Sequence, residues 1–159
     1  MKKILLVCGL LLGVSFATTS SEVIELYSEK IREIPNGESY EIFKEYNELK
    51  DQPLITIAKD NLVFAIEQDM DKKAKVIAVM MPLDQEVTAD QMLIDIRVIS
   101  FFLATLSGNA HSDSLIFEAI LSQIEASMKT GLETAFFIDN VMYKVRSSPG
   151  LITISARNV

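Results

Sequence analysis

Two stretches of this sequence share one pattern, and that pattern narrows what the chain can fold into. Asp139-Asn140-Val141-Met142-Tyr143-Lys144-Val145 has an earlier counterpart in Asp60-Asn61-Leu62-Val63-Phe64-Ala65-Ile66. Each places two turn-forming residues before an apolar, x, aromatic, x, β-branched run. Each follows an apolar stretch, Leu54-Ile55-Thr56-Ile57 in the first and Ala135-Phe136-Phe137-Ile138 in the second. Asp and Asn tolerate the positive φ of a type I′ turn, so both segments read as β-hairpins closed by two-residue loops. In that geometry Ile57 faces Phe64 and Ile55 faces Ile66, while Phe136 faces Tyr143 and Ile138 faces Val141. Glu133 and Arg146 then form an opposite-charge pair across the second hairpin.

Each hairpin is followed by one further strand pattern. Lys75–Met81 ends at Pro82, and Leu151–Arg157 alternates Ile152, Ile154 and Ala156 inward. Helical patterns precede each hairpin. Val23, Ile24, Tyr27, Ile31 and Ile34 recur at helical spacing, Thr19 and Glu22 are spaced as a capping box, and Pro35-Asn36-Gly37 stops the helix. Tyr40, Phe43, Tyr46 and Leu49 mark a second helix, ending before Asp51-Gln52-Pro53. In the other half, Thr88 caps a helix whose Val98–Leu106 stretch has no charge, so it is expected to be buried on more than one side. Asp113 is expected to cap a further helix to Lys129, with Phe117, Ile120, Leu121, Ile124 and Met128 inward.

These patterns define an α+β chain with an ααβββ-ααβββ pseudo-repeat, its halves at 22–82 and 83–159. A three-stranded sheet with one apolar face needs a cover in water. The economical arrangement is a mainly antiparallel six-stranded sheet with the helices packed on one face, forming a single domain over 22–159. The second repeat has the longer helices, so the equivalence is approximate.

The first residues belong to an address rather than to the fold. Lys2 and Lys3 precede the apolar run Ile4–Phe16, and Ser15-Phe16-Ala17 supplies small residues at the cleavage positions. Residues 1–17 therefore read as a secretory signal peptide, too short for an ordinary membrane span, with an uncleaved anchor as the alternative. Residues 18–21 read as a short polar tether. Leu5-Leu6-Val7-Cys8 faintly resembles a lipobox, but too few apolar residues precede it for an h-region. Cys8 is the one cysteine, so a chain cleaved after Ala17 has no thiol and must be held by core packing. The expected location is exported, periplasmic or extracellular, with no membrane span after cleavage.

The whole chain carries 15 basic and 22 acidic residues, a net charge of −7. Without Lys2 and Lys3 the balance becomes 13 against 22. Such an acidic chain, with no clustered basic stripe, is a poor ligand for phosphate backbones or anionic membrane surfaces.

Catalytic equipment is scarce. His111 is the single histidine, and His111-Ser112-Asp113-Ser114 sets an imidazole, a carboxylate and hydroxyls side by side. Neighbours in sequence rarely converge as a triad requires, so this reads as an interhelical loop. Asp69-Met70-Asp71 lacks the Gly and trailing Glu of a calcium loop and reads as a solvated turn. No Gly-rich phosphate loop and no G-x-S-x-G elbow occur. No catalytic, cofactor-binding or metal-ligating residue is assigned. Phe101, Phe102 and Leu103, with Met80, Met81 and Met92, read first as core and second as the lining of a cavity or groove.

What remains is the sheet face opposite the helices. Val63 and Ala65 in one half and Phe137 and Met142 in the other form the candidate interaction surface. The reading is an exported, non-enzymatic binding or accessory protein with a protein partner or a second copy of itself. The alternative is a carrier of a small apolar ligand between helix and sheet. A carboxylate-based hydrolase is the third.

Overall fold

The computed structural model describes residues 18–42, 54–83, 87–108 and 112–159. The expected signal peptide, the helix extending through Phe43, Tyr46 and Leu49, and His111 lie outside those residues. Three α-helices occur among them, α1 (Ser20–Ile31), α2 (Ala89–Ala104) and α3 (Asp113–Thr130). The strands are β1 (Leu54–Ile57), β2 (Val63–Gln68), β3 (Ala74–Pro82), β4 (Thr134–Ile138), β5 (Val141–Ser148) and β6 (Leu151–Asn158). They form one sheet in the order β1-β2-β3-β6-β5-β4, and every neighbouring pair is antiparallel. The chain is α+β, with an antiparallel sheet.

α1 begins with the capping box that its sequence encodes. The Thr19 backbone N–H donates to Glu22 Oε2 at 2.7 Å, and the Glu22 N–H donates to Thr19 Oγ1 at 3.2 Å. Residues 18–21 are not the tether expected of them. Thr18 accepts from the Ala74 N–H, Thr19 bridges Lys73, and Ser20 is fully buried at the start of α1. The Thr19 hydroxyl caps the helix start, and the backbone of 18–20 bonds to the stretch 72–74, so the segment is tied to the fold rather than to solvent. Val23, Tyr27 and Ile31 form the buried stripe. Beyond them the chain turns sharply at Asn36, whose φ is 60°, and Gly37 packs so closely that a Cβ would lie 1.9 Å from the Ile31 carbonyl oxygen. Only glycine fits that approach.

The Thr88 hydroxyl caps α2 by accepting from the Gln91 N–H at 3.2 Å. Every residue from Val98 to Ala104 is buried, as an uncharged run requires. α2 packs against α1 on one side and α3 on the other, above β3. α3 starts one residue earlier than the Asp113 cap implies. Ser112 holds the N-cap position without a side-chain cap bond, and its hydroxyl instead donates to the Asp139 carboxylate. Asp113 lies in the first turn, where a carboxylate suits the helix dipole, and pairs with Arg97 at 3.2 Å. The buried stripe of α3 is Ile116, Ile120, Ile124 and Ser127, with Phe117 and Leu121 partly buried. Met128, expected inward, is 61% exposed, because the inward face runs one position earlier in the helix. α3 closes at Gly131, φ 69°, whose N–H returns to the Ser127 carbonyl at 2.8 Å.

The second hairpin has the expected register. Phe136 pairs with Tyr143 and Ile138 with Val141, and Asp139 and Asn140 have φ of 50° and 61°. The two rings stack at 4.8 Å. Glu133 finds Lys144, at 2.6 Å, rather than Arg146. The first hairpin is displaced by one residue. Ile57 pairs with Val63 and Ile55 with Ala65, while Thr56 meets Phe64 and Leu54 meets Ile66. Here Asn61 takes the left-handed conformation, φ 57°, but Lys59–Asn61 form a 3₁₀ turn, and the Ala58 N–H closes a longer loop onto the Leu62 carbonyl. A one-residue slip exchanges the two faces of a strand. Ile55, expected in the core, is 61% exposed.

The core lies between the helices and one face of the sheet. One row runs Phe64, Val79, Ile154, Val145, and the next Ile66, Ile77, Ala156, Tyr143, all of them buried. Phe64 touches Phe102 of α2 edge-on at 5.1 Å, and Tyr27 of α1 lies 5.7 Å from both rings. Phe101, Phe102, Leu103 and Met81 are core residues; Met80 points to the other side of the sheet and is 37% exposed.

Candidate functional site

Strand alternation divides the sheet into two unlike faces. Among the described residues, the side turned from the helices is built of half-buried and exposed positions. All four sequence-identified residues are there. Phe137 on β4 pairs directly with Met142 on β5, and the same row continues through Arg157 and Val76. Val63 and Ala65 lie across the sheet on β2, separated from that pair by β3 and β6. They form one face but not one spot. Phe137 is 65% exposed, and Met142, Val63 and Ala65 are half-buried. Ile55 and Met80 extend the apolar area around Val63 and Ala65. The sequence reading missed Ile55 because its parity depends on the loop length.

Between the two apolar ends runs a row of small residues, Ala65, Ala78 and Ser155, which leads to Lys144 and Ala135. The β5–β6 half also carries Arg146 and Arg157 facing the same way, both exposed and without an ion partner among the described residues. Glu67 and Glu133 are the acids at its margins. This side is thus weighted to positive charge in a chain whose total is −7.

β4 is an edge of the sheet. A two-residue loop makes Ile138/Val141 a hydrogen-bonded pair, and bonded pairs alternate from there. The backbone N–H and C=O groups of Ala135 and Phe137 therefore point outward from the edge. Edge strands are ordinarily guarded by charge, proline, a bulge or shortness. Thr134-Ala135-Phe136-Phe137-Ile138 has no charge or proline, and its register is unbroken. β1, at the other edge, has four residues and is preceded in sequence by Pro53.

Two further features lie away from this face. The first is a buried polar network that sequence reasoning did not find. Asp95 on α2 is 2% exposed and accepts from the Tyr40 hydroxyl at 2.8 Å and from Gln91 Nε2 at 2.9 Å. Gln91 Nε2 also reaches the Tyr40 oxygen at 2.6 Å, Lys59 Nζ lies 3.4 Å from it, and the Tyr27 hydroxyl donates to the Tyr40 carbonyl at 2.8 Å. Burial, with Tyr40 beside it, raises the Tyr27 phenol far above its ordinary range. The network ties α1, the Gly37–Tyr40 turn, the β1–β2 loop and α2 together. Its one sequence trace is the i, i+4 polar pair Gln91/Asp95 in the first half of α2. A hydrolytic pair needs two carboxylates converging on one reacting atom. Here the buried carboxylates of Asp95 and Asp113 are committed to different partners, the first to Tyr40 and Gln91, the second to Arg97.

The second is a hollow of about 120 Å³ between α1 and the end of α2, lined by Leu26, Lys30, Phe101 and Ala104. Ligand pockets usually run from ~300 Å³ upward. Asp69, the head of the Asp69-Met70-Asp71 turn, spends one carboxylate oxygen on the N–H groups of Asp71 and Lys73, both at 3.0 Å. No cluster of three or more metal-binding side chains occurs among the described residues, and none of their helices is long and apolar enough to cross a membrane.

Among the described residues, fold and site together define an α+β scaffold with one uncovered, partly apolar sheet face and an uncharged edge strand. The chain matches no family model, no curated protein and no solved structure.

Proposed function

We propose that this is an exported, non-enzymatic binding or accessory protein that uses the open face of its sheet, around Phe137, Met142, Val63 and Ala65, to hold another protein. The observation that carries this reading is the exposure of Phe137 and Ile55, 65% and 61%, at opposite ends of that face. Burying one such side chain is worth ~1.5–3 kcal/mol, so a partner that covers the face gains from both ends. The hydrogen-bonding groups on the β4 edge add a second means of attachment.

The six strands are read as a duplicated ααβββ unit. The strand order is symmetric about the β3–β6 pair, and Asn61 and Asn140, equivalent in the two motifs, both have positive φ. In a duplicated sheet the outward faces of the two halves merge into one surface, larger than either hairpin provides.

The experiment is site-specific photo-crosslinking in producing cells. A photoreactive amino acid at Met142 is expected to give a discrete protein adduct, and the same group at the exposed Glu118 of α3 none. The adduct should be lost in Phe137→Asp while the far-ultraviolet circular dichroism and melting curve are retained. Absence of any Met142 adduct, or equal adducts at both positions, overturns the reading. The mature N-terminus, read by mass spectrometry after export, is expected at Thr18.

A further inference from the structure

From the edge and the charges beside it, we infer that the occupant of this face is an extended segment of a partner protein that adds to β4. It carries an acidic side chain opposite Ala135 and an apolar one opposite Phe137. This rests on the open-face reading above and specifies its chemistry.

The inference is built on three features. First, Ala135 and Phe137 turn their free backbone groups outward, and their side chains lie on the open face. A strand added there would hydrogen-bond at these two positions and bring its own side chains onto that same face. Second, the two positions differ in what stands behind them. Behind Phe137 is Met142, so an incoming apolar side chain meets a continuous apolar strip. Behind Ala135 is Lys144, and the small methyl group leaves the lane to that ammonium open. Third, the positive charge is in surplus. Lys144 is held by Glu133 at 2.6 Å, while Arg146 and Arg157 have no ion partner among the described residues. An incoming carboxylate can take Lys144 while Arg146, which stands in the row of Glu133, relieves that acid. A basic segment would meet three like charges, which gives the site its discrimination. In an antiparallel approach the apolar residue precedes the acidic one by two positions.

The test uses the full mature protein and three probes: a fluorescent Thr-rich strand peptide with Leu-x-Glu at its centre, the same peptide with Lys in place of Glu, and phosphatidylglycerol vesicles. Anisotropy is expected to show saturable binding of the Glu peptide, with the Lys peptide at least about tenfold weaker. Lys144→Glu should reverse that preference, and added salt should weaken the Glu peptide. Hydrogen exchange at the Ala135 and Phe137 amides should slow on binding. Ala135→Pro removes one of those donors and should weaken the peptide; should that variant misfold, Lys144→Glu, a surface change, still decides the matter. Equal binding of both peptides, no binding of either, or binding only to vesicles overturns the inference. If the Met142 photo-adduct persists while the peptides fail, the acidic-strand inference alone falls. If the adduct is also absent, the general reading falls with it.

Discussion

Tyr143 offers a direct measure of what burial costs this protein. Its ring is 0% exposed and stacks on Phe136 at 4.8 Å with the planes 8° apart, yet its hydroxyl has no hydrogen-bond partner among the described residues. Desolvation, with the charge of Asp139 nearby, pushes the phenol well above its usual pKa, so the group enters the core neutral and unpaired. In Tyr143→Phe the stacked ring stays and the orphan oxygen goes. Leaving a hydroxyl buried without a partner costs ~1–3 kcal/mol, and refilling the vacated volume incompletely returns part of that gain. The expected net effect is a stabilisation of about 1 kcal/mol. With an unfolding entropy of about 2.1 cal/mol/K per residue, a folded region of about 140 residues gains about 3 °C per kcal/mol. Differential scanning calorimetry and urea unfolding, run on both proteins at the same pH, read this directly. A melting temperature lowered by 3 °C or so would mean that the hydroxyl is bonded in solution, and would refute the reasoning.

The remaining predictions concern the supports of the sheet. Ser127→Ala removes an oxygen that accepts from the Ser147 N–H at 2.8 Å and donates to the Leu132 carbonyl at 2.7 Å. With a backbone donor orphaned, it should lose ~2 kcal/mol in urea unfolding, and an unchanged midpoint would show that tie to be dispensable. Ile55→Lys should stay within about 0.5 kcal/mol of the parent in thermal unfolding, as an outward position allows, whereas Phe64→Ala should lose ~3–5 kcal/mol; the reverse ranking would restore the two-residue loop. Thr19, through its backbone N–H and its hydroxyl, holds the Glu22 carboxyl below its ordinary value. Its contribution is therefore present above the unfolded pKa and is lost as pH falls through the lower folded one. Thr19→Ala should flatten that part of the acid-unfolding profile followed by circular dichroism, and an identical acid limb in both proteins would discount the cap.

The order of the described helices and strands could be read from periodicity because each period is set locally, by the helix or strand itself. The second hairpin was legible down to its pairs because Asp139 and Asn140 both accept positive φ. The first was not, although Asp60-Asn61 is chemically the same dipeptide. Its loop is closed by the Ala58 N–H bonding to the Leu62 carbonyl, a choice made by tertiary fit rather than by the dipeptide. That single residue moved Ile55 onto the open face. The same face was legible through Phe137 and Met142, whose parity follows from the correct loop. The Asp95 network was hidden for another reason. Its members meet across sequence separations of up to 55 residues, and no local pattern encodes such a meeting. Asp113 was misjudged because Ser112 and Asp113 are both acceptable caps, and the choice depended on Arg97, which lies on another helix.

The junction between β3 and β6 has a consequence for how the protein is made. Its pairs run from Pro82↔Leu151 to Val76↔Arg157, so the middle of the sheet is closed by two strands that lie far apart in the sequence. During synthesis the first meander must wait with one edge of β3 unpaired until β6 has left the ribosome. Contacts of such long range form slowly, and a waiting apolar border invites association with other nascent chains. Efficient production should therefore depend on a holding factor until the final strand arrives, and shortening the chain before Leu151 would leave two borders bare, those of β3 and β5.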